Sequence, residues 1–447
     1  MQLSATIEFQ MPFIIFAFKL FVYKMYFLIC FFILLTGVQS PDCELLKAIE
    51  CDKSVSAGNL HPYFAPEQKN VKKLDTRSPK GFKPFYFSYY GRHGSRHLTG
   101  SASFISSYAE LFNSLHDDSQ LTVDGEKLKN WIDWIHEKHT GNMEQLTEEG
   151  FREEQAISAR FSKRYRRVFR QRMRRTVVSR SSPVLRSAMT GTSFILELQR
   201  NNPGLEYDVK AGNRYYFTRW DPNPELDACT AHIGDSLRRE YFDTTAFCTR
   251  FFKDEKHLRT ALLGKSIVDT QYEIMHILSV CKCIDPEADP FSLFSVQELF
   301  NYAVVQNACV ASWFIHSKET GIYRDTNAGA HLLNEIICRA DEAIEGNGIC
   351  ADLRFGHDSG VAPLFSFLNI AGYNFCASLA DSYIYWPAYK HVPMACNFAL
   401  VLYRNRKGEV LVKILENEKE TAVPAISPFS GPYYKWEDFK EYCTRRI

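Results

Sequence analysis

The sequence predicts an α/β protein with a mostly parallel sheet flanked by helices and an inserted, mostly helical cap. Three short strands, at residues 85–90, 176–179 and 352–355, each lead through a tight turn towards a helix. This repeated order favours a parallel sheet with helices on its faces. Helical periodicity fills most of the sequence between them, and residues 398–403 and 409–415 have the pattern of a late hairpin.

The strands are recognised by composition. The first is an aromatic run between Pro84 and Gly91, which is typical of a buried strand. The second is short and β-branched, Thr176 to Ser179, and the third is Asp352 to Phe355. In contrast, residues 128–135 place apolar side chains at the i, i+3, i+4 and i+7 spacing of an amphipathic helix.

The predicted domains are discontinuous. The α/β core consists of residues 41–104, 176–200 and 350–447. The mostly helical cap consists of residues 105–175 and 201–349. Because residues 41–84 are polar and interrupted by proline and glycine, we expect them to form an irregular arm on the surface of the core.

Residues 1–40 form an N-terminal hydrophobic segment. Residues 11–35 are nearly all apolar, interrupted by Lys19 and Lys24, and small residues follow up to Ser40. This pattern predicts a signal peptide and therefore a secreted or periplasmic protein, with no stable membrane insertion after its removal. A retained membrane anchor is the alternative, because the stretch approaches the length of a bilayer span.

The cysteine content bears on redox compartment and on metals. Outside residues 1–40 the chain has twelve cysteines, an even number that makes disulfides plausible in an exported protein. Cys281 and Cys283 are close in sequence, but two ligands do not make a zinc site and no CxxC partner is present. We expect no metal and no cofactor.

Charge argues against a nucleic-acid partner for the whole chain. Lys and Arg total 53, Asp and Glu total 52, and the net charge is +1. The exception is residues 160–175, which include nine Lys or Arg. This basic run has three interpretations: a solvated helix face, a wall that attracts a polyanionic substrate, or a nucleic-acid surface.

The turns after the three strands carry the candidate site residues: Arg92, His93 and Arg96, then Arg186, then His357 and Asp358. Ligands of open α/β sheets bind at the carboxyl ends of the strands, where helix N-termini also favour phosphate. The three turns should therefore converge on one anion site. Arg180 is a nearby competitor for the role of Arg186.

The residue types suit phosphoryl transfer. Guanidiniums present planar forks to phosphate oxygens. A neutral imidazole can attack phosphorus, and a carboxylic acid can protonate the leaving alkoxide. Because that acid must be protonated beforehand, a mildly acidic working pH is expected.

The segment from Arg92 to Thr99 resembles the RHGxRxPT motif of the histidine acid phosphatase branch of the histidine phosphatase superfamily, with Leu98 in place of proline. Residues 356–358 resemble the downstream His-Asp motif of that branch, and residues 182–188 its further arginine segment. The resemblance implies the histidine phosphatase fold. It also implies His93 as nucleophile, Asp358 as proton donor, and a phosphate pocket made of Arg92, Arg96, Arg186 and His357.

Within that branch, the chain looks most like multiple inositol polyphosphate phosphatases and phytases. The implied substrates are small phosphomonoesters, with inositol polyphosphates such as phytate favoured. Ser359 and Gly100 depart from the residues these enzymes often carry at those positions. A broad-specificity acid phosphatase therefore stays an alternative. A mutase of the wider superfamily and a non-catalytic polyanion binder are further alternatives.

Overall fold

The computed structural model describes residues 41–63, 75–170, 175–212, 224–315, 317–321, 329–370, 373 and 377–447, without the side chains of residues 41–43. The chain divides into residues 1–47 and a compact unit of residues 48–447. The predicted signal peptide or anchor, residues 1–40, lies outside the described residues. No described helix has the length and apolar character needed to cross a membrane.

One mixed sheet organises the compact unit. The strands are β1 (Lys83–Arg92), β2 (Thr176–Ser181), β3 (Glu206–Ala211), β4 (Ile349–Gly356), β5 (Asn397–Arg404), β6 (Val410–Glu416), β7 (Lys419–Glu420) and β8 (Tyr433–Lys435). Their order is β3-β2-β4-β1-β5-β6-β7, with β8 also paired to β6. The neighbours from β3 to β1 are parallel, whereas β5 pairs antiparallel with β1 and β6. The predicted fold class is confirmed.

The described residues also form seventeen α-helices, some of which flank the sheet. They are α1 (Pro41–Cys51), α2 (Ala102–Asp117), α3 (Val123–His139), α4 (Glu148–Arg164), α5 (Arg166–Phe169), α6 (Leu185–Asn201), α7 (Pro224–Tyr241), α8 (Thr244–Phe251), α9 (Glu255–Ala261), α10 (Ile267–Leu278), α11 (Cys281–Ile284), α12 (Val296–Phe314), α13 (Ala330–Glu345), α14 (Asp358–Leu368), α15 (Ser382–Tyr385), α16 (Ala388–His391) and α17 (Trp436–Thr444). Short 3₁₀ helices span Lys53–Leu60 and Pro290–Leu293.

The centre of the sheet is an aromatic core. Phe87 and Tyr89 of β1 are fully buried, and their rings contact Phe161 of α4 at centroid distances of 5.0 and 5.8 Å. Phe194 of α6 packs on Tyr89 at 4.9 Å. Aromatic burial of this kind removes large apolar areas from water. It fixes the position of β1, and therefore of the loop that follows β1.

Two segments that were predicted in the cap lie on the core sheet. Residues 206–211, predicted in the cap, form β3 and pair with β2. This strand is charged and largely exposed, as edge strands often are, so it lacks the apolar pattern by which the other strands were recognised. Helix α4 was also assigned to the cap, yet it packs on the sheet.

The predicted surface arm is partly buried. Residues 54–58 and 60 of the first 3₁₀ helix lie inside the molecule. Helix α14 starts at Asp358 and ends at Leu368, and its C-cap residue Asn369 adopts the left-handed conformation. Asparagine tolerates that conformation better than most residues.

Disulfides were expected, but nine of the described cysteines are free thiols: Cys51, Cys229, Cys248, Cys281, Cys283, Cys309, Cys338, Cys396 and Cys443. Cys281 and Cys283 are buried, and burial raises the pKa of both thiols. Within the described residues, no group of three or more His, Cys, Asp or Glu side chains is arranged to hold a metal ion.

Candidate active site

The loop after β1 is held on both sides by backbone hydrogen bonds. The N–H of His93 donates to the carbonyl of Gly356 (2.9 Å), and the His93 carbonyl accepts from the N–H of Ala395 (3.0 Å). The hydrogen bond between His93 and Gly356 therefore joins the ends of β1 and β4, where the two candidate motifs begin. This is the geometry expected where parallel strands end at one edge of a sheet.

Gly94 allows a close approach of helix α4. A Cβ atom on Gly94 would lie 2.5 Å from the carbonyl oxygen of Gly150, and one on Gly150 would lie 2.2 Å from that of Ser95. The carboxylate of Glu153 accepts hydrogen bonds from the Ser95 N–H (2.6 Å) and hydroxyl (2.8 Å). Helix α4 therefore packs closely against the loop and holds Ser95 in place.

The imidazole of His93 is buried and set in one orientation. Its Nδ1 lies 3.0 Å from the carbonyl oxygen of Gly94, which can only accept a hydrogen bond. Nδ1 therefore carries the proton and Nε2 keeps its lone pair. Burial, followed by the charges of Arg92 and Arg96, lowers the pKa of His93 well below its usual 6.5. The ring is thus neutral in mildly acidic solution.

Arg92 is almost fully buried and has fixed partners. One of its terminal nitrogens donates to the carbonyls of Asn59 and Val392, both at 2.7 Å. The other lies 3.0 Å from Oδ2 of Asp358. Arg92 therefore links the loop after β1 to the start of α14.

Arg96 and Arg186 bring further positive charge to the same place. Arg96 donates to the carbonyl of His97 (2.9 Å) and is 7% exposed. Burial, together with the neighbouring Arg92 and Arg186, lowers the pKa of Arg96. The pKa of Arg186 is also lowered, mainly by burial. Three guanidiniums held this close favour a bound anion, which reduces their mutual repulsion.

Arg186 has an acidic partner in the pocket. Glu144 lies 3.3 Å from Arg186 and is half exposed on its side chain. Glu144 adopts a φ of 64°, which is uncommon for a residue with a side chain. Its N–H donates to the carbonyl of Leu98 (3.0 Å), so the motif loop itself positions Glu144.

Leu98, which replaces the proline of the motif, has a role that proline could not fill. Its N–H donates to Nε2 of His139 at 2.8 Å. Proline lacks a backbone N–H. The departure from the motif therefore ties the loop to helix α3 and leaves Arg96 and His93 in place.

His357 and Asp358 lie at the start of α14. Nε2 of His357 lies 3.2 Å from the hydroxyl of Ser182, and its ring centroid is 5.4 Å from that of His93. Burial, followed by the charge of Arg186, lowers the pKa of His357 to about 4.

Asp358 lies among cations and amide donors. Its carboxylate accepts hydrogen bonds from the Asn59 side chain (3.2 Å) and from the Ser359 N–H (3.0 Å). Burial raises its pKa, but the charges of Arg92, His357 and Arg96 together outweigh burial, and the net pKa lies below its usual value. Asp358 is therefore ionised in the free protein.

These residues surround one pocket of about 590 Å³, here called the His93 pocket. Its lining consists of His93, Arg96, Thr99, Glu144, Ser182, Pro183, Val184, Arg186, His357, Asp358 and Ser359. Arg92 reaches the same group through Asp358. The structure therefore brings together all six site residues predicted from the sequence.

Three contributors were not predicted: Asn59, Glu144 and Ser182. Asn59 and Glu144 come from segments remote from the motifs, without a periodic pattern or a motif to mark them. Ser182 is the first residue of the arginine segment, but only Arg186 of that segment was predicted as a site residue. Arg180, the competitor of Arg186, is paired with Asp208 at 2.6 Å and is absent from the lining of the His93 pocket.

No described residue of the basic run lines the His93 pocket. Arg160 pairs with Glu418 at 2.7 Å, and Arg164 pairs with Asp75 at 3.0 Å. Residues 171–174 lie outside the described residues. The described part of the basic run therefore does not form a wall that attracts substrate to the His93 pocket.

The whole chain was compared with known proteins. No protein-family model matches the sequence, and no curated protein matches it significantly. Solved structures do match.

The multiple inositol polyphosphate phosphatase of Bifidobacterium longum in complex with phosphate superposes with a TM-score of 0.71 at 17% identity, covering 87% of this chain and 97% of that chain. Its complex with inositol hexasulfate gives a TM-score of 0.69 at the same identity and coverage. The phytase from D. castellii gives a TM-score of 0.63 at 14% identity, covering 88% of this chain and 85% of that chain. The chain therefore has the α/β fold of these inositol phosphate phosphatases and phytases, in agreement with the fold that the motif resemblance implied.

Proposed function

We propose that the protein is a phosphomonoester hydrolase that works through a covalent phosphohistidine at His93, with Asp358 as proton donor. The observation that carries the proposal is the buried His93 imidazole, whose Nδ1 lies 3.0 Å from the carbonyl oxygen of Gly94, in a pocket that also holds Arg96, Arg186 and Asp358. A proton on Nδ1 leaves Nε2 as the attacking atom. Nucleophile, phosphate ligands and acid thus share one pocket. Because charge spreads over the phosphoryl oxygens during transfer, positioned guanidiniums are the main catalytic requirement.

In the first step, Nε2 of His93 attacks phosphorus and the bond from phosphorus to the ester oxygen breaks. Asp358 gives its proton to the leaving oxygen, so an alcohol departs. In the second step, water attacks the phosphohistidine while the Asp358 carboxylate takes a proton from that water. Inorganic phosphate leaves and both side chains return to their initial states.

Asp358 must gain a proton before the first step, although it is ionised in the free protein. The cations that lower its pKa, Arg92 and Arg96, are the groups that a bound phosphate would neutralise. The added negative charge also disfavours ionisation of the carboxyl group. Substrate binding therefore raises the pKa of Asp358, and a mildly acidic medium supplies the proton.

Inositol polyphosphates are the proposed substrates. The similar enzymes named above are called inositol polyphosphate phosphatase and phytase, and a pocket of about 590 Å³ is large enough for a small cyclitol. Glu144 favours the alternative of a broad-specificity acid phosphatase, because its carboxylate in the pocket repels highly charged substrates. Export through residues 1–40 is part of the proposal.

Phosphate release by the full chain at pH 5 tests the activity. We expect turnover of p-nitrophenyl phosphate and of phytate, both abolished in His93→Ala. Absence of any His93-dependent turnover would overturn the enzyme proposal. Turnover of sugar phosphates with a higher kcat/KM than phytate would instead establish the broad-specificity alternative.

A further inference from the structure

A second pocket, of about 770 Å³, lies at the other end of β1 and is here called the cationic pocket. Its lining consists of Lys80, Gly81, Phe82, Lys83, Pro84, Phe85, Arg167, Arg404, Asn405, Arg406, Lys407 and Glu409. Strand β1 runs from this pocket to Arg92, so its ten residues separate the two pockets by about 30 Å at 3.3 Å per residue.

The cationic pocket has a strong excess of positive charge. Six lysines and arginines line it, against the single carboxylate of Glu409. Glu409 is hydrogen bonded to the side-chain amide of Asn405. Among the described residues, none of the six cations forms a salt bridge with a carboxylate. Arg167 brings part of the basic run to this place.

Two of these cations are directly opposed on neighbouring strands. Lys83 of β1 and Arg404 of β5 are partners in the antiparallel pairing. Like charges at directly opposed positions destabilise a sheet. A bound anion would offset this repulsion.

Arg404 forms a fixed part of the pocket floor. Its guanidinium lies 4.5 Å from the centre of the Phe85 ring and donates to the carbonyl of Ile344. Its Nε is buried and has no hydrogen-bond partner. The apolar floor of Phe82, Pro84 and Phe85 is thus surrounded by cations, several of which are exposed.

We propose that the cationic pocket is a second binding site, for a small molecule that carries several clustered phosphate groups. Clustered anions match cations arranged around a concavity better than one phosphate does, and the apolar floor suits the carbon skeleton that carries them. The concave shape favours a small molecule over a flat membrane surface. The site lies outside the catalytic machinery and does not depend on the proposed hydrolysis.

Calorimetric titration of the full chain with inositol hexasulfate, which a phosphatase does not hydrolyse, tests the proposal. We expect two binding sites in the unmodified protein. The triple variant Lys83→Gln/Arg406→Gln/Lys407→Gln should weaken one of them at least tenfold. The matched control Lys127→Gln/Arg152→Gln/Arg200→Gln removes three exposed cations elsewhere and should leave both sites intact. Circular dichroism spectra should be unchanged in both variants, which shows that they fold, and any hydrolysis of p-nitrophenyl phosphate should be unchanged as well.

The possible outcomes separate this proposal from the catalytic one. A single site that the triple variant abolishes supports the cationic pocket and counts against inositol polyphosphates at the His93 pocket. A single site that survives, or equal losses in variant and control, overturns the second site. Inorganic phosphate binding there as tightly as inositol hexasulfate would overturn the requirement for clustered charge. Binding only to vesicles of anionic phospholipid would assign the surface to a membrane and also overturn the proposal.

Discussion

The His93 pocket and the cationic pocket are both built from basic side chains at the ends of β1, but they differ in how those side chains are held. At the His93 pocket, Arg92 is 1% exposed and bound to two carbonyls and a carboxylate. At the cationic pocket, Arg406 and Lys407 are exposed on a hairpin turn. Fixed guanidiniums can stabilise one geometry, whereas exposed ones mainly provide an attractive field. Substitutions at the two ends should therefore affect different quantities.

The largest expected effect is that of His93→Ala. Without the nucleophile, kcat for p-nitrophenyl phosphate should fall by at least about 10⁴-fold, as for other enzymes that lose a covalent nucleophile. Arg406→Gln, at the opposite end of β1, should leave kcat unchanged. Steady-state kinetics at pH 5 measure both, with circular dichroism as a check of folding. Residual His93→Ala activity within tenfold of the unmodified protein would contradict the assignment.

The next effect depends on the leaving group. Asp358→Asn should lower kcat by about 10²- to 10⁴-fold for an alkyl phosphate, whose alkoxide needs a proton. The loss for p-nitrophenyl phosphate should be below about tenfold, because p-nitrophenolate leaves without help. Comparison of the two substrates in parallel checks this. Equal losses would remove Asp358 from the role of acid.

Arg186 and Arg180 provide a matched pair. Arg186→Gln should raise KM about tenfold, the effect of losing one charge-assisted hydrogen bond to phosphate. Arg180→Gln should change KM little, because Arg180 is paired with Asp208 outside the His93 pocket. A larger effect at Arg180 would mean that the two arginines have been assigned the wrong way round.

Glu144→Gln should have a smaller effect in the opposite direction. Removal of the carboxylate beside Arg186 should lower KM for inositol hexakisphosphate by about threefold, because a half-exposed ion pair contributes at most about 1 kcal/mol. The decrease should be smaller for p-nitrophenyl phosphate. Glu148→Gln, an exposed residue of α4, serves as the control. Unchanged KM values in Glu144→Gln would show that this carboxylate does not affect selectivity.

The smallest expected effect concerns the pH dependence of kcat/KM, which should be nearly flat in mildly acidic solution. A histidine of ordinary pKa would lose its nucleophilic form as pH falls through 6.5. Because burial and the arginines hold the pKa of His93 well below 6.5, that form persists at lower pH. We expect kcat/KM for p-nitrophenyl phosphate to fall less than twofold between pH 6.5 and 5. A fall in kcat/KM with an apparent pKa near 6.5 would show that the pKa of His93 is not lowered in this way.

The prediction from the sequence was successful where the site residues follow segments with strong local patterns. His93, Arg186 and Asp358 each follow an apolar strand and a turn, so their convergence followed from sheet geometry. The edge strand β3 was missed because its charged residues lack a burial pattern, and α4 was placed in the cap because periodicity does not reveal which surface a helix covers. Asn59 and Glu144 were missed because tertiary contacts alone bring them to the pocket.

The contact between Gly94 and Gly150 limits how this protein can be engineered. Substrate range in such a scaffold would ordinarily be changed by replacing the helical insertion and keeping the core. Here the predicted insertion includes α4, which contacts the loop after β1 through Gly150 and holds Ser95 through Glu153. An exchanged insertion that lacked this glycine and carboxylate would displace the loop even with every catalytic residue retained. Any chimera must therefore inherit Gly150 and Glu153 together with the motif.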